Sequence, residues 1–218
     1  MSSNSDDEIA LLKQSAVDSV RLAIELYNRP HPVARKKSVL MLLGHSFEML
    51  LKAAILENGG SIHTQGENNQ TIGLKKAINL CRHGDGENES VKILSEDEVI
   101  TLRKMKSDRD SAIHYILDTS EELLYVFAEA SIHLFDDLLD EVFNEKLGDH
   151  LPGRVLPLST NPPENMAVLI DQEYTQVREL LNEGKRKQAK AKLRPIEGLD
   201  RALNNTLLGR GLLVASQQ

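Results

Sequence analysis

The sequence predicts an all-α protein, an antiparallel four-to-five-helix bundle with a C-terminal helical extension. Three observations carry that reading. The 218 residues are 40% apolar and 27% charged but only 4% aromatic, with no tryptophan. That mix, rich in Leu, Ala, Glu and Lys, favours helices. Apolar residues recur at helical spacing over most of the first 146 positions, as they do on helix faces turned to a core. Brief polar, Pro- or Gly-containing breaks divide these stretches, as bundle connections do.

The first helix is expected over about residues 6–27, where Ile9, Leu12, Ala16, Val20, Ala23 and Leu26 form one stripe. Asn28, Pro30 and Pro32 stop it, because proline lacks the amide hydrogen that a continuing helix needs. A second helix is expected over about 33–58. Between 39 and 56 it is apolar on most faces, through Leu40, Leu43, Phe47, Leu50, Leu51, Ala54 and Ile55. It therefore reads as the central helix, ended by Gly59 and Gly60. A polar loop (59–70), a short helix (about 72–81) and a second polar loop (83–88) follow. Ser95 and Glu98 have capping-box spacing and start the next helix, which runs to about residue 117. Thr119 and Glu122 make a second such pair. From there a long helix reaches about residue 146, with Leu123, Phe127, Ala130, Leu134, Leu138 and Val142 as its stripe and Gly148 as its expected C-terminal cap.

This gives three parts: a bundle over residues 1–148, a Pro-rich linker over 149–163 and a helical C-terminal extension over 164–218. The linker holds four prolines and one glycine. In the extension, a helix over 164–182 precedes a basic run at 185–194 with six positive charges in ten residues, then Pro195 and a short helix over about 196–208.

A net charge of −7 argues against a globally basic nucleic-acid coat, while leaving room for a local basic site. The lone cysteine, Cys81, rules out a disulfide framework within the chain and suggests a reducing compartment. Residues 1–8 are polar and acidic, unlike a signal or transit peptide. No apolar run approaches the roughly 20 residues that span a bilayer. A soluble, cytoplasmic protein with no membrane partner is the expectation.

The candidate chemistry lies in the run Arg109-Asp110-Ser111-Ala112-Ile113-His114-Tyr115. Leu102, Met105, Ala112 and Ile116 are three, four or seven residues from Arg109 and share its helix face. A guanidinium keeps its proton when buried. An arginine in an apolar seam therefore needs an anionic partner, or it lines a site that receives one. Arg109 and His114 are about 140° apart around a helix, so a long arginine can only curl toward the histidine's flank. Asp110 and His114 are four apart and share a face. A carboxylate beside an imidazole fixes its tautomer and favours the protonated form. Arg109 then supplies a cation for a phosphate, His114 a proton-transfer group and Asp110 an orienting group. Ser111 can add a hydroxyl, and Tyr115 can contact a base or a phosphate, or pack at the rim.

These parts suffice for metal-independent RNA cleavage. A histidine can help deprotonate a 2′-hydroxyl or protonate the leaving 5′-oxygen. An arginine can stabilise the charge growing on the scissile phosphate. Neither a metal nor another cofactor is expected. Only one histidine belongs to the set, which leaves a second chain as the source of the other proton-transfer group. The same spacing is also met by an arginine salt-bridged to Glu48 or Glu122, with the histidine hydrogen-bonded inside the bundle.

Glu48 and Lys52 form one polar spot on an otherwise apolar helix. They read either as a structural ion pair or, through Glu48, as a support that orients Arg109. His45 with Glu48 lacks a third metal ligand. His63 reads as solvated, His83 with Asp85 and Glu87 as a flexible acidic loop, His133 as a packed residue and Cys81 as structural. In the basic run, Lys185, Arg186, Lys187 and Lys190 form either a solvated helix face or an arm that contacts nucleic-acid phosphates. The extension can alternatively hold a protein partner, such as an antitoxin.

The bundle, the Arg109–His114 motif in its third long helix, and two upstream stretches together resemble the HEPN superfamily (higher eukaryotes and prokaryotes nucleotide-binding). Those stretches are Ala23-Ile24-Glu25-Leu26-Tyr27-Asn28-Arg29-Pro30 and Phe47-Glu48-Met49-Leu50-Leu51-Lys52-Ala53, and they are similar to an uncharacterised bacterial branch of it. The superfamily signature is an arginine, a polar residue, and a histidine after four to six intervening residues. Arg109, Asp110 and His114 match it with four intervening residues. The resemblance covers about residues 8–147 and not the tail. It implies a metal-independent endoribonuclease of toxin–antitoxin, phage-defence or RNA-processing settings. It also implies a homodimer in which two copies of the motif face each other across a cleft.

Overall fold

The structure is a computed structural model that describes residues 2–29, 33–64, 70–86, 88–114, 121–151, 174–175 and 177–186. The side chains of 2–4, 108, 111–114, 121–123 and 126 lie outside that description. The fold is all-α. Its helices are α1 (Ser2–Tyr27), α2 (Arg35–Glu57), α3 (Leu74–His83), α4 (Glu96–His114), α5 (Glu121–Phe143) and the short α6 (Leu147–His150), with a 3₁₀ turn at Glu89–Val91.

The central position expected for the second helix is the one observed. α2 packs on α1, α3, α4 and α5, most extensively on α1. Its buried set includes Val39, Leu40, Leu43, Phe47, Leu50, Leu51, Ala54 and Ile55. Phe47 meets Phe135 of α5 edge-on at 5.7 Å between ring centroids, a geometry that places a positive ring edge on a negative face. By length and composition α2 could cross a membrane, which the sequence reading excluded. Burial explains its composition: 67% of its most apolar stretch is buried inside the fold, as in the core helix of a soluble protein. Asn58 follows α2, Gly59 takes a left-handed φ of 75°, and the Gly60 amide donates back to the Ile55 carbonyl at 2.8 Å. This closure matches the expected glycine stop.

α3 is amphipathic, with Leu74, Ala77, Ile78 and Cys81 turned to the core. The Cys81 carbonyl accepts from the amides of both Ile93 and Leu94 at 2.9 Å, which ties the end of α3 to the segment leading into α4. The Ser95–Glu98 box forms as expected. Glu98 accepts from the Ser95 amide and hydroxyl at 2.7 Å, and the Ser95 hydroxyl receives the Glu98 amide at 3.4 Å. The second expected box, Thr119 with Glu122, lies outside the described residues and side chains.

Two features of α5 differ from the expectation. Its buried face is Leu124, Tyr125, Phe127, Ala128, Ser131, Leu134, Phe135, Leu138 and Leu139. Of the expected stripe, Phe127, Leu134 and Leu138 belong to that face while Ala130 and Val142 are half-buried, because α5 buries a wide band rather than a narrow seam. The helix also ends at Phe143, earlier than expected, and Gly148 does not cap it. Asn144 does so, in a left-handed conformation (φ 53°) with its amide on the Asp140 carbonyl at 2.8 Å. Asparagine tolerates that region because its short polar side chain can bond locally. Gly148 instead falls inside α6, whose first amide, on Leu147, donates to Asp136 at 2.7 Å.

Most of the linker and most of the extension lie outside the described residues. Residues 177–182 are helical, in line with the helix expected there, and Gly184 (φ 76°) follows them.

Candidate polar site between α2 and α4

Gly44, Glu48 and Lys52 follow one another at four-residue intervals along α2, so they form one ridge. Lys106 and Asp110 form a similar pair on α4, with Arg109 beside them. The Arg109 stem crosses the α2 backbone at Gly44. A Cβ placed on that glycine would lie 2.4 Å from Arg109 Cδ and 3.2 Å from its Cγ. Met105 and Leu102, one and two turns earlier on α4, are buried in the same seam as the sequence anticipated. Ala112 and Ile116, the other two members of that stripe, fall outside the description.

The Arg109 side chain is 21% exposed, and its guanidinium faces two carboxylates. Its Nη1 lies 3.6 Å from Glu48 Oε2. Its Nη2 and Nε donate to Asp110 Oδ1 at 3.1 and 3.3 Å. Glu48 accepts from Lys52 Nζ at 2.9 Å, and that ammonium also donates to Thr71 Oγ1 at 3.1 Å. Lys52 is the most deeply set charge, with its side chain only 6% exposed. At the outer end, Lys106 pairs with Asp110. The signs alternate along the chain Lys52, Glu48, Arg109, Asp110, Lys106. Three cations against two carboxylates leave one formal positive charge.

Burial works to raise the Asp110 carboxyl. The hydrogen bonds from Lys106 and Arg109 outweigh it and hold the group below its usual range. Asp110 is therefore ionised near neutrality, in contact with two cations. The sequence assigned it to orient His114; in the structure its described partners are Arg109 and Lys106. His114 is the last residue of α4. Its side chain and that of Ser111 lie outside the description, as does all of Tyr115.

Glu48 lies within reach of both residues that the sequence placed near it. It is ion-paired with Lys52, and it stands beside Arg109. Gly44, Lys106 and Thr71 were absent from the sequence reading. Gly44 was signalled only as an isolated glycine inside a long apolar helix. Lys106 was signalled by its four-residue spacing to Asp110.

The other candidates lie elsewhere. His45 and His133 are exposed, so the packed role expected for His133 is not what the fold gives it. His63 is exposed and stands 3.7 Å from the Glu8 carboxylate. Asp85 accepts from the Ser61 amide at 3.3 Å, His83 is exposed at the end of α3, and Glu87 is outside the description. Cys81 is buried, and burial pushes its thiol up to about 12. Among the described residues, no three His, Cys, Asp or Glu side chains cluster as a metal site. Lys185 and Arg186 are exposed, and Lys185 pairs with Glu183 at 2.7 Å. Lys187 and Lys190 are outside the description.

Comparison with known proteins adds a family. Residues 10–190 match DUF3644, described as a domain of unknown function, across most of the bundle and into the extension. No curated protein and no solved structure matches the chain.

Proposed function

The chain belongs to the DUF3644 family, and we propose that it is a metal-independent endoribonuclease of HEPN type, acting as a homodimer in the cytoplasm in toxin–antitoxin or phage defence. One observation carries this reading. The stem of Arg109 is set against α2, and the side chain stays 21% exposed on the helix that also bears His114. A fixed, part-exposed cation suits a phosphate whose charge grows during reaction. In the proposed reaction the 2′-oxygen attacks the adjacent phosphorus and the 5′-oxygen leaves. His114 of one subunit takes the 2′-hydroxyl proton, and His114 of the partner subunit gives a proton to the 5′-oxygen. Arg109 stabilises the phosphorane-like charge, and Asp110 holds Arg109. Lys185, Arg186, Lys187 and Lys190 would add contacts to the RNA backbone, and an antitoxin or another protein could engage the same extension.

The test is cleavage of a diverse RNA pool in the presence of chelator. Wild type should leave 2′,3′-cyclic phosphate ends, and Arg109→Ala and His114→Ala should each lower the rate by at least about a hundredfold. Inert wild-type protein, undiminished mutants or 3′-hydroxyl ends would sink the proposal.

A second reading is a non-catalytic helical module that binds a nucleotide, an RNA or a protein partner. It is favoured by the pairing of Arg109 with Glu48 and Asp110, since an arginine so neutralised can serve packing or binding alone. That reading gives RNA or nucleotide binding without turnover, lost in Arg109→Ala and kept in His114→Gln.

A further inference from the structure

Gly44 lies well inside α2, where a glycine costs about 1 kcal/mol relative to alanine. Its backbone does not require glycine, because its φ is not among the positive values of the chain. A reason must therefore come from what surrounds it. The Arg109 stem supplies one. Outside α2 itself, the three nearest atoms to an added Cβ all belong to Arg109: Cδ at 2.4 Å, Cγ at 3.2 Å and Cβ at 3.5 Å. The half-buried Gly60 makes a useful contrast, since its added Cβ would meet Ile55 and Val91, two core residues.

We infer that Gly44 is a positioning residue for Arg109, a slot in α2 that directs the guanidinium to Glu48. One helical turn separates the slot from Glu48, and a second separates Glu48 from Lys52. The ridge therefore sets the arginine stem, the carboxylate facing its head, and the buried lysine that anchors that carboxylate. A methyl group at position 44 cannot coexist with the stem where it lies. The flexible stem must then swing off α2 and carry the guanidinium away from Glu48. Any effect of this on RNA cleavage rests on the function proposed above; the coupling between Gly44 and Arg109 does not.

The experiment is a double-mutant cycle on the full chain: wild type, Gly44→Ala, Arg109→Ala and the double variant. Urea unfolding gives the first readout. Gly44→Ala should lower the unfolding midpoint in the wild-type background. With Arg109 truncated it should leave the midpoint unchanged or raise it, because alanine is the better helix former. A change of the same sign and size in both backgrounds overturns the inference. So does a double variant that fails to fold, whereas failure of Gly44→Ala rescued by Arg109→Ala supports it.

The second readout is one that loss of stability does not move. In the folded Gly44→Ala protein, the Arg109 Nε–H resonance should shift, and the rate of RNA cleavage should fall about tenfold or more, since a displacement near 1 Å can cost that much. In the Arg109→Ala background the same substitution should cost no further activity. An unmoved resonance would overturn the positioning role. Should the wild type cut no RNA at all, the proposed ribonuclease fails, while the unfolding cycle and the resonance still decide the role of Gly44.

Discussion

Two ridges of α2 face different surroundings and are held in different ways. Leu43, Phe47 and Leu50 sit wholly inside the core, where Phe47 meets Phe135. Gly44, Glu48 and Lys52 lie beside them on the same helix, yet they form a seam with α4 built of alternating charge. The apolar ridge gains from water exclusion and close packing, which depend little on which neighbour supplies the contact. The polar ridge depends on particular partners, because a buried charge that loses its counter-ion has no substitute. Change on the first ridge should therefore scale with volume. Change on the second should depend on whether the partner changes with it.

Phe47→Ala is the strongest test of the first ridge. It should cost about 3–5 kcal/mol, as large-to-small changes at fully buried aromatic sites do, read as a fall in melting temperature or urea midpoint. On the second ridge, Glu48→Ala should cost about 2–3 kcal/mol, toward the lower part of the range for a broken pair because Glu48 is 21% exposed. Replacing both partners, Glu48→Met with Lys52→Met, should recover most of that loss. If the double replacement is no better than Glu48→Ala, the seam is held by packing like its neighbour, and the contrast between the ridges collapses.

Acid should also separate the two ridges. The Asp110 carboxyl is held below its ordinary value of 3.8 in the folded chain. Its contribution is thus present above that value and is lost as pH falls below about 4 and through the lower folded value. Asp110→Asn should flatten that part of the profile of urea midpoint against pH. The acid sensitivity that remains in the variant should reflect other depressed carboxyls, such as Glu145 beside Lys13.

The smallest effect is expected at Cys81, which shares the enclosed character of the first ridge. With its thiol pushed up to about 12 by burial, it should react negligibly with a thiol reagent at neutral pH until the chain unfolds. Rapid labelling of the native protein would show that the core around α3 opens easily.

What could be read from the sequence follows the same division. Periodicity located the long helices and named α2 as the centre, because helix faces are written locally in the spacing of apolar residues. The Ser95–Glu98 box could be read because both partners lie within one turn. Boundaries governed by subtler chemistry could not. Asn144 competed with Gly148 for the end of α5, and the glycine is the commoner cap. At the seam, Arg109 stood out as a charge in an apolar stripe, and Glu48 as a possible partner. The slot at Gly44 did not, because the reason for that glycine sits on another helix, 65 positions further along the chain. Lys106, a described partner of Asp110, went unread for a related reason. The spacing of Asp110 to Lys106 is the same as its spacing to His114, and spacing alone cannot rank two partners one turn away in opposite directions.

The composition of α2 also bears on how the chain is made. A stretch apolar enough to enter a bilayer is a hazard while it is newly synthesised and uncovered. Synthesis runs from the N-terminus, so α1 already exists when α2 emerges, and α1 is the helix on which α2 packs most extensively. The two are neighbours in sequence, and contacts between sequence neighbours form fastest. The most lipid-compatible helix among the described residues is therefore born directly behind its own shield.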